Sequence, residues 1–320
     1  MITLKAPAKI NLGLSILDSR PDGYHNIRSL FCPISLADTL RLSPTANKGL
    51  IRLECSGMRS PEGPENIAFR AAALFLEATG ADMGVDISLH KAIPSPGGLG
   101  GGSSDAAAVL LAMAFLTGEW AGLDELALQL GSDVPFFLED GPALVEGRGE
   151  ILTPAAVPGF HAVLLDSGEA VATPWAYRLL DLEPRSSALT NTGVSCDVSG
   201  LITAKWHEGK PYPTNLRNDF LPFLSSRLPG IGKAAEALSG LTDNWGLSGS
   251  GPVLYALFRT ARETETAAKV LGESFTRVYT AESLLTLGRR QMVKTQGFGP
   301  CIWGFESSRP SQSSVHRERI

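Results

Sequence analysis

A dense glycine stretch between an apolar strand and an apolar helix is the strongest constraint on the fold of this chain. Residues 94–107 read PSPGGLGGGSSDAA, with glycine at five of the six positions from residue 97 to residue 102. Glycine loses more conformational entropy on folding than any other residue, so such a cluster requires a reason in the backbone. The sequence predicts a strand over residues 85–90 before it and a helix over residues 106–117 after it.

A strand, an exposed loop and a helix N-terminus together make a good anion site. The first N–H groups of a helix have no partner within it, and Ser103 and Ser104 add hydroxyl donors. A tight turn capped by Ser104 or Asp105 explains one or two glycines, but not five. No Lys-Ser/Thr pair follows the glycines, and the spacing differs from that of a dinucleotide site. The stretch therefore predicts a nucleotide phosphate site of another kind.

The composition excludes several classes of protein. The 320 residues are enough for two domains, and a net charge of −5 without a basic stripe argues against nucleic acid as a partner. The four cysteines lie far apart without zinc spacing, as in a reduced cytoplasmic protein. The longest apolar run, residues 106–116, is too short to cross a membrane. We expect a soluble cytoplasmic monomer or weak homodimer without nucleic acid or membrane partners.

The pattern outside the glycine stretch predicts mixed strands and helices. Residues 9–16 (KINLGLSI) alternate as in a half-buried strand, with Lys9 and Asn11 on its polar face. We predict helices over residues 67–79 and 123–130, and a hairpin over residues 143–152 that turns at 147–149.

Pro158-Gly159 is a candidate domain boundary, which gives domains at residues 1–158 and 159–287. The remaining residues, 288–320, have no clear periodicity. They are predicted to form a flexible tail, with a binding segment as the alternative.

Five motifs in order resemble those of the GHMP kinases. They are PAKINL at residues 7–12, RPDGYH at 20–25, the glycine stretch, GSDVPFFL at 131–138 and LSGSGP at 247–252. The resemblance covers residues 1–285 and implies an α+β GHMP kinase fold. Its N-terminal domain would be ribosomal-protein-S5-domain-2-like and its C-terminal domain ferredoxin-like, with the active site between them. The second and fourth motifs resemble those of members that act on a cytidine-diphosphate-linked sugar alcohol.

The resemblance implies that Asp133 is the catalytic base and that Lys9 assists it. A lysine beside an aspartate keeps the carboxylate ionised and polarises a hydroxyl between them. An isolated aspartate at this position is more often a helix N-cap residue, and an isolated lysine is more often a solvated strand residue.

The resemblance also implies ATP and Mg²⁺ as cofactors. The residues expected around the ATP phosphates are Pro94, Gly97, Gly98, Leu99, Gly100, Gly101, Gly102, Ser103 and Ser104. Asn66 and Lys91 are expected near the adenine, although Asn66 alone is equally a helix cap.

The acceptor explains the RPDGYH motif, in which Asp22-Gly23 alone would be an ordinary turn. Tyr24 is predicted to stack on the cytosine and His25 to bond to its edge, as in the recognition of unpaired bases. By the resemblance, Tyr177 is expected to be a second ring that stacks on the base, whereas Trp175 is assigned to the core or rim. The other residues expected at the acceptor are Asn11, Thr173, Gly249, Ser250 and Gly251.

These features together predict an ATP-dependent kinase for the 2-hydroxyl of that sugar alcohol, in the route to isoprenoid precursors. A homoserine or mevalonate type of kinase is one alternative, but those substrates carry no base for Tyr24. A diphosphate decarboxylase of the same fold is a second, and release of carbon dioxide would mark it. A non-catalytic sensor is a third, against which the presence of both Lys9 and Asp133 argues.

Overall fold

Residues 1–182 and 216–286, with the backbone of residues 294–295, are described by a computed structural model. Within them the strands are β1 (Ile2–Ser19), β2 (His25–Thr45), β3 (Ile51–Gly57), β4 (Gly84–Lys91), β5 (Ala143–Gly147), β6 (Ile151–Pro154), β7 (His161–Asp166), β8 (Trp245–Leu247), β9 (Val253–Phe258), β10 (Val278–Glu282) and β11 (Lys294–Thr295). The helices are α1 (Ile67–Thr79), α2 (Gly101–Thr117), α3 (Leu123–Leu130), α4 (Thr173–Leu182), α5 (Leu221–Arg227), α6 (Pro229–Ser239) and α7 (Ala261–Gly272), with 3-10 turns at Gly63–Glu65 and Pro135–Leu138. None of these helices is long and apolar enough to span a bilayer.

The first sheet has the strand order β11-β1-β2-β4-β3, and β5 and β6 extend it from β2. Its neighbouring strands are antiparallel except β3 and β4, which α1 connects. Helices α1 and α2 share one apolar cluster with β1, β2 and β4. Because α2 is buried on nearly all sides, it lies in the core, and its first residues line a cavity beside β1 and β2.

The second sheet has the order β10-β7-β9-β8, with every neighbouring pair antiparallel. Helices α4, α5 and α6 lie between β7 and β8 in the chain, and α7 lies between β9 and β10. This succession and strand order are those of a ferredoxin-like unit, which confirms the expectation for the C-terminal part. The α+β class is likewise confirmed.

Most of the predicted elements are confirmed. Helix α1 begins after Asn66, whose side chain accepts a hydrogen bond from Ala68 N, and ends at Gly80. Helix α3 and the β5–β6 hairpin are also present. Helix α2 starts at Gly101, five residues earlier than predicted, because packing overrides the low helix propensity of glycine.

The predicted boundary between residues 158 and 159 falls between β6 and β7 and stays a prediction. Of the predicted tail, only the backbone of β11 is described, where it pairs with Ile2 and Thr3. The rest of that prediction lies outside the described residues.

The prediction that residues 9–16 form a half-buried strand is wrong, because both faces of β1 are buried there. Ile10 and Leu12 pack in a cluster that includes Leu164 and Tyr255 of the second sheet. Lys9 and Asn11 point the other way and are 3% and 2% exposed. The glycine stretch covers this polar face, and Lys9 N donates to Leu99 O at 2.9 Å. The alternating pattern found the two faces, but it carried no information about the loop above the polar one.

Tyr255 ties the second sheet to β1, since its hydroxyl donates to Asn11 O at 2.6 Å in a fully buried position. Tyr255→Phe is expected to lower the free energy of unfolding by about 1–3 kcal/mol, because a buried carbonyl loses its partner. Denaturant unfolding measures this loss. Tyr279→Phe on β10 is the control, since it removes a phenol oxygen from a position that is only partly buried. An equal loss of unfolding free energy in both variants would show that the hydrogen bond from Tyr255 to Asn11 O has no special importance.

Candidate active site

A cavity of about 720 Å³ is bordered by β1 and β2, the glycine stretch, α4 and the loop after β8. It brings together most of the predicted site residues: Lys9, Asn11, Tyr24, His25, Pro94, Gly97, Gly98, Leu99, Gly100, Gly101, Gly102, Ser103, Asp133, Thr173, Tyr177, Gly249 and Ser250. Four predicted residues do not line it: Asn66, Lys91, Ser104 and Gly251. One concave site therefore combines the glycine stretch, the Lys/Asp pair and the aromatic residues of the sequence motifs.

Lys9 and Asp133 face each other in this cavity. Lys9 Nζ lies 3.7 Å from Asp133 Oδ2, and the lysine side chain is 4% exposed while the aspartate side chain is 32% exposed. The ammonium donates to Asn11 Oδ1 at 2.5 Å and lies 4.4 Å from the centroid of the Phe31 ring. Burial lowers the pKa of Lys9, and the Asp133 carboxylate offsets this only in part. The result is a desolvated cation beside a carboxylate that solvent and substrate can reach.

The structure does not support the alternatives for these two residues. Lys9 is buried rather than solvated. The residue that precedes the 3-10 turn at Pro135–Leu138 is Val134, and no side chain caps that turn. Asp133 is therefore left to interact with Lys9 and with the cavity.

Asn11 holds the ammonium of Lys9 in place. Its Nδ2 donates to Ser29 Oγ at 2.9 Å, and Ser29 Oγ donates in turn to Gly13 O at 2.6 Å. Its Oδ1 also accepts from Ser248 Oγ at 3.4 Å. These bonds fix the amide so that its oxygen faces Lys9. The prediction that Asn11 bonds to the acceptor stays a prediction.

Two glycines of the stretch are required by the protein backbone itself. Gly98 has φ +69°, and a Cβ there would lie 2.1 Å from Ser248 O. Gly100 also has φ +69°, and a Cβ there would lie 2.9 Å from Phe137 Cζ and 3.2 Å from Lys9 Cγ. Left-handed backbone is costly for residues other than glycine. Some of the glycines thus bring the loop close to the last motif and to the lysine, a reason that sequence reasoning missed.

The N-terminus of α2 fits a phosphate group. Gly101, Gly102 and Ser103 are its first three residues, and all three line the cavity. Their N–H groups have no acceptor within the helix. Ser104 lies just below them, fully buried, and its Oγ has no hydrogen-bond partner among the described residues.

Asn66 and Lys91 make contacts within the protein. Asn66 caps α1, and its Nδ2 donates to Pro61 O at 2.8 Å. Lys91 Nζ donates to the carboxylates of Asp38 and Asp105. Their predicted place near the adenine stays a prediction, and none of these contacts supports it.

The described residues contain no group of three or more acidic, histidine or cysteine side chains that would hold a metal ion. A magnesium ion needs no such cage when it arrives with nucleotide phosphates, because one carboxylate and the phosphates suffice. Asp133 is the acidic residue next to Lys9 in the cavity, so these residues fit MgATP.

An aromatic group forms the other end of the cavity. The ring of His25 stacks on Tyr177 with centroids 5.1 Å apart, and its Nε2 lies 2.8 Å from Asp181 Oδ1. Tyr24 is 52% exposed, and the Arg148 guanidinium lies 5.1 Å from its ring centroid. Burial raises the pKa of Tyr177 to about 12, and the charge of Asp133 contributes.

This arrangement bears on the roles predicted for the aromatic residues. His25 covers part of Tyr177, so the prediction that Tyr177 is the second stacking ring stays open, as does that of His25 at the base edge. Sequence reasoning missed Arg148 and Asp181. The turn at residues 147–149 was a signal for the first, whereas the sequence holds no comparable signal for the second.

The last glycine motif closes on α4. Thr173 Oγ1 and Ser250 Oγ lie 2.9 Å apart. Gly249 has φ +55°, and a Cβ there would lie 3.2 Å from Gly98 O. Asn218 Nδ2 supports this loop by donating to Leu247 O at 2.9 Å and Gly249 O at 2.8 Å. The glycine stretch and the LSGSGP motif are therefore in direct contact beside Lys9.

Comparisons with known proteins identify the family of this chain. The profile of the GHMP kinases N terminal domain matches residues 66–141. The 4-diphosphocytidyl-2-C-methyl-D-erythritol kinase of Geobacter metallireducens is 38% identical over 278 residues, which cover 85% of this chain and 95% of that protein. The enzyme of the same name from Deinococcus radiodurans is 40% identical over 275 residues, covering 84% and 88%.

Solved structures give the same result. A crystal structure of 4-(cytidine 5'-diphospho)-2C-methyl-D-erythritol kinase superposes with a TM-score of 0.73 at 35% identity, over 88% of this chain and 98% of that one. Homoserine kinase from Cytophaga hutchinsonii shares the fold, with a TM-score of 0.69 at 20% identity over 89% and 95% of the two chains. Fold and site together define a GHMP kinase. Since the likeness extends over most of both chains, the protein belongs to the 4-diphosphocytidyl-2-C-methyl-D-erythritol kinase family.

The two classes of glycine in the stretch give a matched test. Gly98→Ala is expected to lower kcat/KM at least about tenfold and to destabilise the protein, since left-handed backbone alone costs about 1–2 kcal/mol. Gly102→Ala is expected to fold normally, because its Cβ would meet only Ile67 Cγ2, at 3.4 Å. Melting temperatures and steady-state kinetics of both variants check this. Equal melting temperatures would show that Gly98 has no special backbone role.

Proposed function

We propose that the protein transfers the γ-phosphate of ATP to the 2-hydroxyl of 4-diphosphocytidyl-2-C-methyl-D-erythritol, in the methylerythritol phosphate route to isoprenoid precursors. The observation that carries the proposal is the desolvated Lys9 facing Asp133 in the cavity that also holds the glycine stretch. The names of the relatives supply the substrate. We further propose two domains divided at residue 158, a cytoplasmic location, and a monomer or weak homodimer.

The nucleotide end of the cavity is the N-terminus of α2. Its free N–H groups point to where the ATP phosphates would lie, and the helix dipole adds positive potential there. When bound, Mg²⁺ would neutralise negative charge on the ATP phosphates, and Asp133 is a carboxylate of the cavity that could help to hold it. Catalysis then depends mainly on positioning and on electrostatic stabilisation.

Asp133 acts as the base for the acceptor hydroxyl. As the hydroxyl oxygen attacks the γ-phosphorus, its proton passes to an Asp133 oxygen, and the bond from the γ-phosphorus to the bridging oxygen breaks to release ADP. Lys9 lies beside this carboxylate, with its Nζ 3.7 Å from Asp133 Oδ2. Its positive charge stabilises the negative charge that moves through the transition state.

The substrate's cytidine end would lie at the aromatic end of the cavity. Tyr24 offers an exposed ring there, and the cations Arg148 and Arg178 line the same wall. Because Arg148 covers one face of the Tyr24 ring, we propose that the base stacks on the other face. The two arginines suit the negative charge of the substrate's diphosphate.

The direct test is incubation of the pure protein with MgATP and 4-diphosphocytidyl-2-C-methyl-D-erythritol. Formation of the 2-phosphate together with ADP, followed by ³¹P NMR, is the expected result. ATP turnover with release of carbon dioxide from a diphosphate substrate would instead show a decarboxylase. Phosphorylation of homoserine or mevalonate in preference to the cytidine compound would contradict the proposed substrate.

Asp133→Asn is expected to lower kcat by about 10²–10⁴-fold, because the amide keeps the shape but cannot accept the proton. Binding of ATP, measured by calorimetry, is expected to remain close to that of the wild type. A kcat within a fewfold of the wild-type value would remove Asp133 from the reaction.

Tyr24→Ala is expected to cost about 1–3 kcal/mol of acceptor binding, the usual value of one base–aromatic stack. This loss would raise the KM for the acceptor and leave the KM for ATP nearly unchanged. Tyr24→Phe is the matched control and is expected to be close to neutral, since stacking needs only the ring. If both KM values rise together with a lower melting temperature, Tyr24 supports the fold and does not read the base.

A further inference from the structure

A buried cluster of three ionisable side chains lies beneath the glycine stretch, outside the cavity. Asp38 of β2, Lys91 at the end of β4 and Asp105 of α2 are 0%, 4% and 2% exposed. Lys91 Nζ donates to an Asp38 oxygen and to Asp105 Oδ2, the latter at 2.6 Å. Here these three residues are called the loop clasp.

The loop clasp touches both ends of the segment that carries the glycines. At the start of the segment, Asp38 Oδ1 accepts hydrogen bonds from the N–H groups of Ala92 at 2.6 Å and Ile93 at 2.9 Å. At its end, Lys91 reaches Asp105 in the second turn of α2. Its Nζ also lies 3.4 Å from where a Cβ of Gly101 would be. The first residue of α2 thus lies against the ammonium that also binds Asp38, and the Asp38 carboxylate holds the first residues of the loop.

Stability alone does not explain such a cluster. Removal of three charged groups from water costs several kcal/mol for each ion, and an apolar cluster of the same size is often as stable. What charged hydrogen bonds add is direction, because each donor and acceptor fixes the other within narrow limits of distance and angle. Burial lowers the pKa of Lys91, but its two carboxylate partners outweigh this and the net pKa is raised, so the lysine remains charged.

We propose that Asp38, Lys91 and Asp105 are positioning residues that hold the N-terminus of α2 at the distance and orientation needed to bind the nucleotide phosphates. This inference rests on the proposed use of ATP. It gives Lys91 a role below the phosphates instead of one at the adenine. A displacement of about 1 Å in such a site can reduce the rate about 10²-fold, so a rigid tie at both ends of the loop matters.

The test compares Lys91→Met with the double variant Lys91→Met/Asp38→Asn. Lys91→Met leaves carboxylates without a buried counter-charge, so it is expected to lower the melting temperature. The double variant also removes one of the two acidic groups, that of Asp38, and its amide oxygen can still accept from Ala92 and Ile93. We expect it to regain part of the lost melting temperature while the KM for ATP stays raised about tenfold or more. The KM for the acceptor is expected to change less than twofold.

The control variant is Lys48→Met, which removes an exposed ion pair with Asp82 and is expected to leave all these values unchanged. Recovery of the KM for ATP together with the melting temperature would overturn the proposal, because the cluster would then act only through stability. The ratio of kcat/KM for ATP to that for GTP is expected to stay constant in both variants. A selective loss with ATP would place Lys91 at the adenine and would also overturn it.

Calorimetry with ATP alone separates this inference from the proposed function. If the wild type binds ATP but does not phosphorylate the acceptor, the proposed function fails while the loop clasp can still be judged from the Kd. If the wild type is active and the double variant binds ATP as tightly as the wild type, the loop clasp fails and the proposed function stands.

Discussion

The burial of a single ammonium, that of Lys9, determines how the rest of the site is built. A buried cation is costly unless charged and polar partners surround it. Its partners come from separate parts of the chain: Asp133 after α3, Asn11 on the same strand, and Phe31 on β2. The glycine stretch closes above it, with Leu99 O accepting from the backbone of Lys9. The cavity therefore depends on contacts among β1, β2, the segment after α3 and the glycine stretch, which are far apart in the sequence.

The glycine stretch serves this arrangement in two different ways. Gly98 and Gly100 have left-handed backbone and leave no room for a side chain, so they set the shape of the loop against Ser248 and Lys9. Gly101 and Gly102 begin α2 and keep its N–H groups accessible from the cavity. The sequence alone does not distinguish these two roles, because glycine serves in both. The ion cluster of Asp38, Lys91 and Asp105 then supports the same loop from below.

Local signals predicted the elements and the motif residues well. Asn66 and Gly80 indicated the ends of α1. The resemblance of the five ordered motifs indicated that Lys9 and Asp133 act together, and the two side chains do lie next to each other. The predictions that were wrong concerned contacts between residues that are far apart in the sequence. The polar face of β1 is buried because a loop some ninety residues away covers it, and α2 starts early because its first residue, Gly101, is buried against Ile93 and Lys91. The partners of Lys91 lie 53 and 14 residues away, and no local pattern indicates them.

The central claim is that Lys9 is a desolvated cation whose electrostatic environment is set by burial and by Asp133. The most direct measurement is the pKa of Lys9, from an NMR titration of ¹³Cε-labelled lysine with Lys9→Arg to assign the signal. We expect a pKa below the ordinary value of 10.5, and a further decrease in Asp133→Asn, because the carboxylate that raises it is gone. A pKa at or above 10.5 in the wild type, or one that does not change in Asp133→Asn, would show that burial and Asp133 do not set the charge environment of Lys9.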